Sequence, residues 1–86
     1  MTIHALKTWP EPFAGAVSGA KRHEWRRDDR GFELGDTLVL QEWNPATEKY
    51  TGEMKAFEVT WITRDFGVPV GWCCMTIWPL DREGDR

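Results

Sequence analysis

Lys21, Glu24 and Arg26 lie close together in the stretch Gly19-Ala20-Lys21-Arg22-His23-Glu24-Trp25-Arg26. Glu24 and Arg26 are two apart, so an extended chain puts both on one face. There the guanidinium can hold the carboxylate in one orientation through a charge-assisted hydrogen bond. A carboxylate fixed in this way accepts from a base amino group, as carboxylates do from cytosine. Lys21 could reach a phosphate or polarise a carbonyl. In a catalytic site Glu24 would serve as general base and Lys21 as electrostatic stabiliser. The parity of Lys21 places it opposite Glu24 on a regular strand, so the three converge only if the strand begins irregularly after Gly19. Without convergence, the segment is a solvated ion-pair strand worth ~0–1 kcal/mol per pair.

Two tryptophans flank these residues. Trp9, beside Pro10 at a strand end, is placed to act as a stacking platform, and stacking a base on an aromatic ring is worth ~1–3 kcal/mol. Trp25 alternates away from Glu24 and Arg26 and is expected to face the core, as are Trp43, Trp61, Trp72 and Trp78 within apolar strands. His4 is a candidate cleft acid or base, because imidazole titrates near neutral pH. Two histidines without matching Cys or acidic neighbours do not make a metal site, and nothing in the sequence asks for a cofactor. There is no glycine-rich phosphate loop, and the lone Ser18 cannot complete a Ser-His-Asp set.

The elements that must position these groups belong to one domain, since the chain has 86 residues. A domain of this size hides only roughly 60% of its unfolded surface, so its core must be dense in large side chains. The chain carries a net charge of −3, with six Trp and four Phe. That charge excludes a protein that coats nucleic acid by bulk attraction. Residues 21–30 nevertheless hold five basic side chains against three acidic ones, whereas residues 31–60 hold six acidic against two basic. A small anionic target fits one basic segment on an acidic body. Cys73 and Cys74 are adjacent and would point to opposite faces of a strand; they read as buried, reduced thiols. With no signal-like start and no apolar run near the roughly 18 residues of a membrane span, a cytoplasmic location without membrane attachment is expected.

Alternation from Ile3 to Lys7 predicts a first strand, with His4 and Leu6 on one side. Glu11 to Ser18 follows as a short helix with Phe13, Val17 and Ala20 on its apolar edge and Gly19 at its end. Further strands are expected over Lys21–Arg27, Thr37–Trp43, Glu53–Thr63 and Val70–Trp78. Asp28 to Gly31 is a turn, as is Gly35-Asp36, where glycine would take a left-handed conformation and Asp36 would tie the turn back. A long hairpin tip runs from Asn44-Pro45 to Thr51-Gly52. Met54 and Phe57 cannot share one regular face, which predicts a bulge near Ala56. Residues 1–80 form the domain, and 81–86 are a charged, frayed tail. The class is mostly β (α+β): a small barrel of about five strands with a short N-terminal helix at one end.

Three stretches in order resemble a known family: His4 to Glu11, the Gly-x-Lys-x-x-Glu-x-Arg run from Gly19 to Arg26, and Phe32-Glu33-Leu34-Gly35-Asp36. The run is similar to the signature of ASCH (activating-signal-cointegrator homology) domains of the PUA-like superfamily. The whole set, with the Asn44–Gly52 hairpin, is similar to a phage- and bacteria-associated subfamily without assigned function. The resemblance covers about residues 3–80. It implies a PUA-like β-barrel, a cleft lined by the signature residues, and binding of RNA. Some relatives act on nucleic acids or nucleosides. In an acylcytidine-deacylating branch, a Lys and a Thr of the signature strand take part in the chemistry. Lys21 matches that Lys; Glu24 stands in place of the Thr, and a carboxylate is no hydroxyl nucleophile.

Three functions are therefore carried forward. One is a module binding single-stranded RNA or a modified nucleobase, with His4, Lys7, Trp9, Lys21, Glu24, Arg26 and Arg30 as ligand contacts. A second is a small hydrolase acting on RNA or on an acylated nucleoside through Lys21 and Glu24. The third is a module binding a protein partner through exposed Trp.

Overall fold

The computed structural model describes residues 1–81. Its elements run β1 (Ile3–Thr8), α1 (Pro10–Ser18), β2 (His23–Arg27), β3 (Thr37–Asn44), β4 (Lys49–Thr63) and β5 (Trp72–Pro79). All five strands join one sheet in the order β1-β3-β4-β5-β2. The β1–β3 pair is parallel; the other neighbours are antiparallel. The chain is thus mostly β, a sheet curled into a half-barrel with one short helix. No helix among the described residues is long and apolar enough to cross a membrane.

The curl leaves β1 and β2 as the two edges, and they face one another across an open seam. No backbone ladder joins them. Instead Arg26 on β2 donates to the Lys7 carbonyl at 3.0 Å and to Thr8 Oγ1 at 3.3 Å, and Arg30 donates to the Ala5 carbonyl at 3.1 Å. Edge carbonyls of β1 that would otherwise need water or another strand are thereby satisfied by side chains.

Inside the curl, Leu6, Leu38, Leu40, Phe57, Val59, Met75 and Ile77 alternate inward, with Phe13 and Ala16 of α1 and the loop residue Phe32 completing the core. The helix begins where proline is tolerated, at Pro10 and Pro12, and stops at Gly19, whose φ of 89° is left-handed. Its buried edge is Phe13 and Ala16, not the expected Phe13, Val17 and Ala20, because Val17 faces solvent.

Several boundaries differ from expectation. β2 starts at His23 instead of Lys21, and β5 at Trp72 instead of Val70. The β3–β4 ladder runs out to Asn44 opposite Lys49, so the hairpin tip is shorter than expected. Asn44 organises that tip, its Oδ1 accepting the Ala46 N–H at 2.8 Å. The register breaks fall between Gln41 and Trp43 and between Val59 and Trp61, not at Ala56. The second break corrects the place of Trp61: it turns outward, 61% exposed, and Ile62 packs on the core instead. Trp43, Trp72 and Trp78 are half-buried, so none of the six tryptophans belongs to the buried core. Cys73 is buried, and burial pushes its thiol up; Cys74 is only half-buried. Of the expected tail, Asp81 is exposed and residues 82–86 lie outside the described residues.

The Gly35-Asp36 turn locks the chain start to the sheet. Gly35 has φ of 88°. Buried Asp36 accepts from Thr2 N–H at 3.0 Å, Glu33 N–H at 3.0 Å and the His4 ring at 2.9 Å. With Asp36 ionised, His4 Nε2 carries the donated proton. Burial raises the Asp36 carboxyl, but the bonds from Thr2, His4 and Glu33 outweigh it and leave the group below the usual carboxylate range. A depressed carboxylate stabilises the fold above its unfolded pKa and loses that contribution as pH falls. Unfolding followed against pH should therefore show stability falling below about pH 4. Asp36→Asn should flatten that fall and cost about 1–3 kcal/mol at neutral pH. A Cβ on Gly35 would stand 3.0 Å from Met1 Sδ in a left-handed backbone. Gly35→Ala should accordingly lower stability by roughly 1–2 kcal/mol in urea unfolding, without touching the cleft.

Candidate functional site

Glu24 lies on the concave side of β2, only 4% exposed. Its Oε2 accepts from Arg26 Nε at 2.7 Å and its Oε1 from Lys21 Nζ at 2.8 Å. Both bonds are charge-assisted and short. Lys21 can join because it precedes the strand proper: the chain leaves α1 through Gly19 and Ala20, and the Lys21 N–H bonds back to the Gly15 carbonyl at 2.9 Å. The Nζ also donates to the His23 carbonyl at 2.6 Å. The irregular start required by the spacing is present, and Lys21, Glu24 and Arg26 meet.

They meet at a cleft of about 250 Å³ in the upper part of the seam, where Thr8 and Trp9 form the β1 side, Pro12 the α1 side, and His23 and Trp25 the far rim. Trp9 is 56% exposed, its ring 6.5 Å from that of Trp43. Lys7, also lining the cleft, sits with Nζ 4.2 Å from the Trp43 ring centroid. This cation–π contact holds the lysine along the wall.

Of the expected contact residues, Lys7, Trp9, Lys21, Glu24 and Arg26 gather here; two do not. His4 is bound to Asp36 and packed against Phe32, ring centroids 4.7 Å apart, and lines no part of the cleft. A buried histidine satisfied by a turn carboxylate is a structural group, which corrects its expected role as cleft acid or base. Arg30 lines a neighbouring hollow further down the seam.

Trp25 needs the opposite correction. It is 47% exposed on the cleft rim instead of in the core. Its parity relative to Glu24 and Arg26 is as expected, but inside and outside are exchanged: the charged pair turns inward and the tryptophan outward. The signal is the pair itself, since a carboxylate and a guanidinium that neutralise each other can occupy the inner face of an edge strand.

Among the described residues no three His, Cys, Asp or Glu side chains converge as a metal site would require. The geometry defines a small half-barrel domain whose open seam holds a cleft floored by an ion-paired carboxylate and rimmed by tryptophans. The chain belongs to the family described as a domain of unknown function, DUF3850, whose model matches residues 3–77. It is also similar to an uncharacterised 12.9 kDa protein in the GpA 3′ region of Escherichia phage P2, 38% identical over 61 residues. That match covers 71% of this chain and 54% of the phage protein, so it spans about half the length of the curated relative.

Arg26 ties Glu24 to β1, so its loss should be felt in stability as well as at the cleft. Arg26→Ala leaves a buried carboxylate with one cation and two edge acceptors short of a donor. Because Arg26 is partly exposed, the cost should be roughly 1–3 kcal/mol in urea unfolding, below that of a fully buried pair. Arg26→Lys should recover little of it, since one ammonium cannot span all three acceptors.

Proposed function

We propose that this chain is a binding module for single-stranded RNA or a modified nucleobase, seated in the Glu24 cleft. The observation that carries the proposal is a buried carboxylate held by two cations at the floor of a cleft with exposed tryptophans beside it. A carboxylate has about four lone-pair sites. Lys21 and Arg26 take one on each oxygen, leaving acceptor capacity for a base amino group. Trp9 and Trp25 offer rings on which a base can stack. At about 250 Å³ the cleft falls just under the roughly 300–1,000 Å³ of drug-sized ligand pockets, which suits one planar ring. The sequence resemblance to ASCH domains of the PUA-like superfamily supports the same ligand class, and a cytoplasmic setting fits both that ligand and reduced Cys73 and Cys74.

Binding is favoured over hydrolysis by the same geometry. A general base must take a proton, which would neutralise the group that both Lys21 and Arg26 pair with, whereas accepting a hydrogen bond from a base leaves both ion pairs intact.

Titration of mixed-sequence RNA hexamers and of nucleosides, followed by tryptophan fluorescence, tests the proposal. The native chain should bind with a change in emission. Trp9→Ala should weaken binding by about 1–3 kcal/mol, and Glu24→Gln should weaken it or change base preference by about 1–3 kcal/mol. No binding to any single strand or nucleoside would sink the proposal, and turnover abolished by Glu24→Gln at unchanged affinity would make the module an enzyme.

A further inference from the structure

The seam contains a second hollow, of about 360 Å³, which shares Trp25 and Arg26 with the first as lining residues. Its character is different: Arg26, Arg27 and Arg30 line it against one acid, Asp29. The other acid of that turn, Asp28, is already bound by Arg64. Arg26 is already ion-paired with Glu24, so on a chain of net charge −3 the hollow sets Arg27 and Arg30 against the single carboxylate of Asp29, a local reversal of sign. Low-dielectric walls concentrate such a field.

The arginines are also held in place. Arg27 lies 5.3 Å from the ring of Trp72, its cross-strand partner, and its side chain makes no hydrogen bond among the described residues. Arg30 is anchored by one nitrogen on the Ala5 carbonyl, and a guanidinium has five N–H donors, so most remain to be used. Positioned guanidiniums with unused donors match the oxygens of a phosphate, which they bind by paired charge-assisted bonds. Arg26 stands between the hollows, one face of its environment the Glu24 carboxylate and the other the arginine cluster.

We infer that the second hollow is a phosphate subsite, so that the chain's ligand is a nucleotide or short single strand and not a free nucleoside. The inference rests on the proposal that a base occupies the Glu24 cleft. The strand then runs along the seam, its base over Glu24 and the adjoining phosphodiester between Arg27 and Arg30.

The test uses the full chain labelled with nitrogen-15, titrated with inorganic tripolyphosphate and, separately, with a mixed-sequence RNA hexamer. Tripolyphosphate should move the Arg27 and Arg30 Nε–H signals and the Trp72 indole signal to saturation, leaving the Trp9 indole in place. Arg27→Gln should weaken hexamer binding about five- to tenfold and lower its salt slope by about 0.7, the loss of one phosphate contact on a single strand. Arg30→Gln should do the same, but it also removes the bond to Ala5. If that variant unfolds, Arg27→Gln, which touches no backbone, decides the matter. Unchanged hexamer affinity and salt slope in Arg27→Gln, or no saturable shift of these signals with tripolyphosphate, would overturn the subsite. Should Glu24→Gln weaken the hexamer while Arg27→Gln does not, the base cleft stands and the phosphate subsite falls. Saturable tripolyphosphate binding beside an indifferent Glu24→Gln means the reverse: the phosphate subsite stands and the base cleft falls.

Discussion

A five-stranded sheet that curls but does not close must dispose of two free edges, and the rest of this molecule follows from how it does so. Unpaired edge carbonyls invite water or a foreign strand. Here guanidiniums from β2 and the turn after it reach across to the carbonyls of Ala5 and Lys7. A side-chain stitch leaves more room than a backbone ladder. Neighbouring strands in a ladder sit about 4.8 Å apart, too close for anything to enter. The seam stays open enough to hold two hollows because it is fastened by long side chains. Arg26 serves closure and cleft together, since the same group that fastens β1 also orients Glu24.

Two carboxylates are buried among the described residues, Glu24 and Asp36, and their surroundings separate them. Asp36 accepts from two backbone amides and a buried ring, all within the fold, and lines neither hollow. Three of its roughly four lone-pair sites are taken within the fold by the turn it organises. Glu24 is held by two side-chain cations at the floor of a cavity. An ion-paired carboxylate without backbone donors, beside open space, is the feature on which the proposed ligand site rests.

Much of this is legible in the residues. The shared face of Glu24 and Arg26, the strand at Ile3 and the glycine-dependent turn before Asp36 all follow from parity and backbone sterics, which are local; for Lys21, parity makes an irregular approach a condition of convergence, not an outcome it predicts. The bulge after Val59 is not, because a register break is set by the partner strand, and Trp61 turns outward with it. Trp25 escapes sequence reading for a related reason. Alternation gives which residues share a face but not which face is inside, and on an edge strand the apolar residue need not win. The chemistry of His4 suits a cleft, whereas Asp36, 32 residues away, claims it for the turn. The second hollow depends on the β1–β2 approach, and no local pattern encodes two edges that never pair.

The strand order also dictates when the cleft can exist. β2 precedes β3, β4 and β5 along the chain, yet among the described residues it ladders with β5 alone, His23 opposite Thr76 and Arg27 opposite Trp72. Until the β3–β4–β5 meander has formed, β2 has no edge on which to dock. The meander is built from hairpin-like neighbours that close quickly, whereas the β2–β5 pairing must close a loop of about 50 residues and bears that entropy late. Of the four ladders, β2–β5 spans the longest stretch of chain, so Glu24 and Arg26 ride on the edge strand whose pairing is entropically the most expensive to close.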